Sequence, residues 1–169
     1  LHVRASLFFT LEETILSQGF DVQIRLDREY RMQQLLSQLQ NIDGIRVMEG
    51  WNVREGIPIR SDQSDGDSLF LYALPAATQL FVPELVAGRW LRPDDTNAIV
   101  VPSTLLVDEP EVHLDGELLL RVGDQEEMWK VVGVYLIFQP PLAPKFLYVN
   151  QPYFWEKIGN YNHVNTVRM

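Results

Sequence analysis

Cysteine is absent from the chain. Neither a disulfide framework nor a thiolate zinc site is available, and the lack of thiols is compatible with either side of a cell membrane. Basic charge is scarce: 14 Lys and Arg stand against 23 Asp and Glu, a formal net charge of −9. Grip on nucleic acid begins with neutralising phosphates, so this balance argues against a nucleic-acid partner. No apolar run approaches the roughly 18 residues of a membrane span, and no basic start with a cleavage site marks a signal peptide. Catalytic signatures are equally sparse. The three histidines, His2, His113 and His163, are scattered, without HExxH. There is no GxSxG elbow to expose a serine and no glycine-rich loop to cradle a phosphate. No catalytic residue, cofactor or metal is expected. A hydrolase assembled from distant residues is the enzymatic alternative, and the sequence gives it no positive support.

The 169 residues are 46% hydrophobic, ample for a core. Acidity is concentrated late: Asp108 to Glu127 holds eight carboxylates and a single basic residue, Arg121. That stretch reads as a solvated face. Asp62, Asp65 and Asp67 invite a calcium loop, but counting from Asp62 puts Gly66 and Ala73 where oxygen ligands are needed, so an ordinary turn is expected.

Periodicity supplies the elements. "LHVRASLFFTLEETILSQG" places Leu7, Phe8, Leu11 and Ile15 on one stripe, the pattern of a helix ended at Gly19; residues 1–18 are read either as a helix docked on the core or as a candidate stalk helix. The chain starts without Met, and a piece cut from a longer protein is expected. "DVQIRLD" alternates as a strand. A helix is expected from Arg28 to Gln40, with Met32, Leu35, Leu36 and Leu39 on one face and Asp27 as cap. Leu35 and Leu39 should be buried under it. Odd positions from Ile45 to Ile59 make a long strand or a strand bent near Gly50 or Gly56, and "SLFLYALP" makes a central one ended by Pro75. The second half is mostly β. Strands are expected at 98–101, 112–114, 118–122, 129–138 and 146–149, with a brief helix near 103–106 and tight turns at Gly116 and Gly123. His113 reads as an exposed strand residue. Tyr161 and His163, in "NYNHVNTV", could join several amides in a polar surface, with contact to a partner as the lesser alternative. Trp51, Trp90, Trp129 and Trp155 read as packing anchors, since no basic groove accompanies them.

Between the halves lies "VPELVAGRWLRPDDTNAIVV". Its "LVAGRWLRPDD", followed by "NAIVVPSTLL", "GELLLRV" and "WKVVGVYL", resembles the MacB-type extracytoplasmic core domain of FtsX-like permeases, the membrane subunits of macrolide-exporter and lipoprotein-release ABC transporters. The earlier "FDVQIRLDREYRMQQLLSQLQNIDGIRVMEGW" is similar to that domain's first strand, helix and second strand. The resemblance covers roughly residues 19–149 and rests on the order and spacing of the set. It departs from the family in two places. Members run on past the position of "NTVRM", and "DEPEVHLDGELLL" is longer and more acidic than a minimal connector.

The resemblance implies an α+β fold, with an α/β subdomain formed by 1–90 and 146–169 and a smaller β-rich subdomain formed by 91–145. It assigns structural roles to Gly88, Arg89 and Trp90, with Gly88 allowing a close turn, Arg89 tying the connector to carbonyls or a carboxylate, and Trp90 packing the junction. Asp94 and Asp95 are expected to shape the turn by local caps or salt bridges, with Arg92 as candidate partner. The implied role is non-catalytic: an extracytoplasmic domain between membrane helices, whose partners are the rest of the permease, its cytoplasmic ATPase and an extracytoplasmic protein or lipophilic substrate. A solute- or peptide-binding domain with its own pocket is the alternative. An aromatic cavity would favour the alternative, and adjacent chain ends would favour coupling.

Overall fold

A computed structural model describes residues 20–81, 83–137 and 143–169. The expected opening helix lies outside them. The described elements are β1 (Gln23–Arg31), α1 (Met32–Leu39), β2 (Glu49–Ile59), β3 (Leu69–Leu74), β4 (Leu85–Gly88), β5 (Ala98–Pro102), α2 (Leu105–Asp108), β6 (Glu117–Val122), β7 (Gln125–Tyr135), β8 (Phe146–Asn150), α3 (Gln151–Lys157) and β9 (His163–Arg168).

Strand pairing runs in a ring. β2 pairs with β3, β3 with β8, β8 with β5, β5 with β7, β7 with β6, and β6 returns to β2. Six strands thus close into a small barrel, which satisfies backbone groups that an open sheet would leave at its edges. β4 is added on β7. The first residues of β2, Glu49 to Trp51, pair instead with β9, and β9 pairs with β1, making a three-stranded wing that carries α1. The class is α+β, as the resemblance implies. Segment 91–145 contributes β5, β6 and β7, each hydrogen-bonded to a strand from outside that segment.

Alternation along the strands sorts the core into two layers. Leu69, Leu71 and Ala73 of β3, Ile99 and Val101 of β5, Trp129 and Val131 of β7, and Leu147 and Val149 of β8 join Leu118 and Leu120 of β6 in one cluster. Because these strands encircle one another, that cluster fills the barrel. Tyr72, Val100, Tyr135 and Tyr148, on the intervening positions, form the second cluster with Leu80, Phe81 and Leu91 from the run that follows Pro75.

Several local expectations change. β1 extends through Arg31, because Tyr30 and Arg31 pair with Val164 and His163 beyond an irregularity after Arg25. The helix therefore starts at Met32, and the first amide bonds Asn162 O at 2.9 Å rather than an Asp27 cap. Leu35 and Leu39 are half-buried, and α1 has no fully buried residue. Residues 112–114 lie in a loop rather than a strand, leaving His113 exposed. In the turn before β6 the left-handed residue is Asp115, φ +64°, rather than Gly116. Asn and Asp tolerate that region better than other side chains do. The acidic stretch is only partly a solvated face: Glu109 is buried, and Arg60 grips it through Nε and Nη2 at 2.7 and 2.8 Å.

Candidate functional site

The connector is built around a close approach of two strands. Gly88 ends β4 opposite Gly133 of β7, with φ +72°. A Cβ on Gly88 would stand 2.3 Å from Val132 O, and one on Gly133 would stand 2.1 Å from Arg89 O. Only glycine fits both positions without moving the backbone. The approach lets Arg89 N donate to Val132 O at 2.9 Å.

Beyond it, Arg89 turns back on its own loop. Nη1 and Nη2 donate to the two oxygens of Asp95, each at 2.7 Å, and Nη1 also reaches Trp90 O at 2.9 Å. Asp95 Oδ2 accepts Arg92 N at 2.8 Å as well. The partner of Asp95 is therefore the Arg89 side chain, while Arg92 supplies only its amide. The Arg89 guanidinium is the main influence holding the Asp95 carboxyl below its usual value, against the opposing effect of burial. Asp94 is exposed and makes no side-chain hydrogen bond among the described residues.

A residue the sequence reading missed secures this loop. Asn150, 1% exposed at the end of β8, donates through Nδ2 to Arg92 O, Pro93 O and Asp95 O at 3.0–3.1 Å. Trp90 donates to Ala76 O at 3.1 Å and packs on Phe81 and Tyr148, with ring centroids 5.8 and 5.7 Å away. The run "NQPYFWEKIG" marks a short helix after Asn150, with Pro near its start and an exit glycine, but nothing in it marks the contacts Asn150 makes with the connector.

The second notable place is where the described ends meet. Asp21 N and Val22 N donate to Met169 O at 2.9 and 3.0 Å, and Met169 N donates to Val22 O at 3.0 Å. Beside them Arg168, 4% exposed, lies with its guanidinium carbon 4.0 Å from the Trp51 ring centroid, 4.2 Å from Phe20 and 4.9 Å from Tyr72. Its Nε donates to Gln23 Oε1 at 2.9 Å, and its Nη1 has no hydrogen-bond partner among the described residues. Burial is the main influence lowering its pKa. Three aromatic faces compensate part of its desolvation. Burial likewise raises the phenols of Tyr135 and Tyr148. Trp51, Tyr72, Phe81, Trp90, Tyr135 and Tyr148 thus form a chain of rings packed on one another.

The described residues contain no cluster of three or more potential metal ligands, and no helix among them is long and apolar enough to cross a membrane. Against known proteins, no family profile and no curated protein matches the chain. Solved structures do. The extracellular domain of the noncanonic ABC-type transporter YknZ from Gram-positive bacteria matches with a TM-score of 0.58 at 13% identity, over 87% of this chain and 81% of that one. The periplasmic region of MacB from Actinobacillus actinomycetemcomitans matches with a TM-score of 0.58 at 15% identity, over 84% of this chain and 65% of that one, just under two thirds of its length. The chain has the fold of these extracytoplasmic ABC-transporter domains.

Proposed function

We propose that this chain is a non-catalytic extracytoplasmic domain of an ABC transporter permease, coupling movement of membrane helices to the handling of a substrate or partner outside the membrane. The observation that carries the reading is the junction of residues 21–22 with Met169, in a fold shared with the YknZ and MacB domains. A domain inserted between two membrane helices must receive and return the chain at one place. Hydrogen bonding between its first and last strands makes any displacement of one a load on the other. The tightly packed rings around Arg168 stiffen that junction.

In this reading Gly88, Arg89, Trp90, Asp94 and Asp95 form a structural connector that fixes the turn leading into the barrel. They perform no chemistry. The remainder of the permease and a cytoplasmic ATPase are the mechanical partners, with nucleotide bound elsewhere.

Topology tests the extracytoplasmic placement on which the reading depends. With no native cysteine in this segment, Thr96→Cys in the exposed turn gives one labelling point within it, and the unsubstituted reading frame gives the background. In intact cells expressing the full reading frame, a membrane-impermeant maleimide should label it without permeabilisation. Labelling only after the membrane is opened would overturn the proposal.

A further inference from the structure

At the end of the wing opposite the chain junction, a cleft of about 400 Å³ lies among Arg31, Gln33, Gln34, Tyr161, Asn162 and His163. β1 runs from Gln23, which pairs with Arg168, to Arg31, which pairs with His163. The partner strand β9 covers the same span from Arg168 to His163, so at about 3.3 Å per residue the cleft stands roughly 15–20 Å from the junction.

Its walls are fixed. Met32 N holds Asn162 O at 2.9 Å, Asn162 takes φ +58°, and His163 N donates to Asn160 O at 3.1 Å. A carbonyl only accepts, so His163 Nδ1 carries a proton for Tyr161 O at 2.8 Å. Asn160 Nδ2 donates to Glu29 Oε2 at 2.6 Å, and the other oxygen of Glu29 pairs with Arg54. Both carboxylates of β1 are thus engaged, since Asp27 Oδ1 accepts the Tyr30 hydroxyl at 3.0 Å.

The chemistry of the lining is one-sided. It holds a guanidinium, three primary amides, a phenol and an imidazole, and no carboxylate. None of the ion pairs among the described residues involves Arg31. In a chain of net charge −9, this is a donor-rich, cationic recess. Tyr161 is 80% exposed, yet its ring rests edge-on against Trp155 with centroids 5.7 Å apart. A held, solvent-facing aromatic beside an arginine is the composition that anchors protein partners.

We infer that this cleft is a docking site for an acidic, extended peptide segment of an extracytoplasmic partner protein. Arg31 takes a side-chain carboxylate, the amides of Gln33, Gln34 and Asn162 meet peptide groups, and Tyr161 packs against the segment. A neutral glycan fits less well, because the lining carries a cation and no carboxylate and so favours an anionic segment. The inference deepens the function proposed above and rests on it only for the partner's compartment.

The test is a backbone amide shift titration of the whole 169-residue chain. The probes are a blocked tetrapeptide of alternating glutamate and aspartate, its all-lysine counterpart, and a chitin trisaccharide. The acidic peptide should give saturable shifts at Arg31, Gln33, Gln34, Asn162 and His163 that weaken as salt is raised. Arg31→Gln should weaken the titration about fivefold, the scale of one exposed charge pair, and Tyr161→Ala should weaken it at low and high salt alike. Both side chains are exposed, so folding of the variants is checked by the dispersion of the same spectra. Absence of saturable shifts, shifts centred elsewhere, an equal response to the lysine peptide, a response to the trisaccharide alone, or an unchanged titration with Arg31→Gln would each overturn the inference. A silent cleft on a chain whose Thr96→Cys still labels from outside would reject the docking site and leave the membrane-topology reading standing.

Discussion

The barrel and the wing are built from the same kinds of residue to different standards of burial. In the barrel every residue of β5 is buried, as are five of the six in β3 and four of the five in β8. In the wing neither β1 nor α1 contains one fully buried residue. β9 lies between them in character, with Val164, Thr166, Val167 and Arg168 buried. Closure accounts for the difference. A ring of strands encloses a volume and leaves few backbone groups unpaired, whereas a three-stranded sheet with one short helix has a second face and a free edge.

Apolar contacts of Val164, Met32 and Leu35 with the barrel cluster join the two regions, and a polar seam runs beside them. Asn52, fully buried on β2, donates to His163 O at 2.9 Å and accepts from Gln151 Nε2 at 3.2 Å and Trp155 Nε1 at 3.0 Å. Such a seam is directional, so it adds a fixed orientation to the apolar contact between wing and barrel.

The sharpest way to break this comparison is to remove equal amounts of leucine from each region. Leu71→Ala empties a fully buried barrel position and should cost about 2–5 kcal/mol, against a typical total stability of about 5–15. Leu35→Ala removes a half-buried side chain that only borders the barrel cluster, and should cost about half as much or less. Leu35→Asp, which would abolish cooperative folding if Leu35 were enclosed, should instead leave a cooperative but less stable protein. Urea denaturation of the variants measures this, and a Leu35→Ala loss equal to that of Leu71→Ala would erase the distinction.

Hydrogen exchange sharpens where the boundary falls. Amides of β3, β5, β7 and β8 should exchange with the global opening, while those of β1 and α1 exchange through a smaller, separate one. The division expected from the sequence makes a different forecast, with 91–145 protected as its own unit apart from β3 and β8. Exchange of 91–145 out of step with β3 and β8 would favour that division over ring and wing.

Much of the barrel was legible because its strands have one apolar face or two. "SLFLYALP" and the apolar "NAIVV" read directly as β3 and β5. β4 escaped notice because four residues are too few to establish a period, and its strand state depends on pairing with β7. α1 was found but its start was misplaced, since the pairing of Tyr30 and Arg31 with β9 outweighs a local cap. The connector's residues were legible and the partner of Asp95 was not. Arg89 and Arg92 are both near in sequence, and only the fixed Gly88–Gly133 approach selects Arg89. Arg168 and the Asn150 pin depend on residues brought together by closure, for which a linear pattern carries no signal.

Asp95→Asn should give a smaller loss than the barrel leucine, about 1–2 kcal/mol at neutral pH, because the bidentate contact is partly buried but its arginine is a third exposed. The pH dependence has a definite sign. A carboxyl whose folded pKa is depressed stabilises the fold above its unfolded value of about 3.9, and that contribution disappears as pH falls through the lower folded value. Stability of the parent should therefore fall between neutral pH and about pH 3 by more than that of Asp95→Asn. Parallel urea midpoints for the two proteins across that range would remove Arg89–Asp95 from the account.

The least effect is expected one residue away. Asp94 has the same side chain, the same turn and a similar sequence distance from both arginines, yet it is exposed and makes no side-chain hydrogen bond among the described residues. Its influence on Arg89 is a minor coulombic one. Asp94→Asn should alter stability by less than about 0.5 kcal/mol, as surface changes away from specific contacts do, and should leave the acid profile of the parent intact. The neighbouring pair thus tests whether contact geometry, rather than the charge of the "RPDDT" turn as a whole, governs the connector. If Asp94→Asn matched Asp95→Asn in both urea midpoint and pH response, the diffuse negative field would be the operative feature and the bidentate geometry incidental. A loss confined to Asp95→Asn would locate the effect in the fork that Arg89 makes across the turn, fastened from the other side by Asn150.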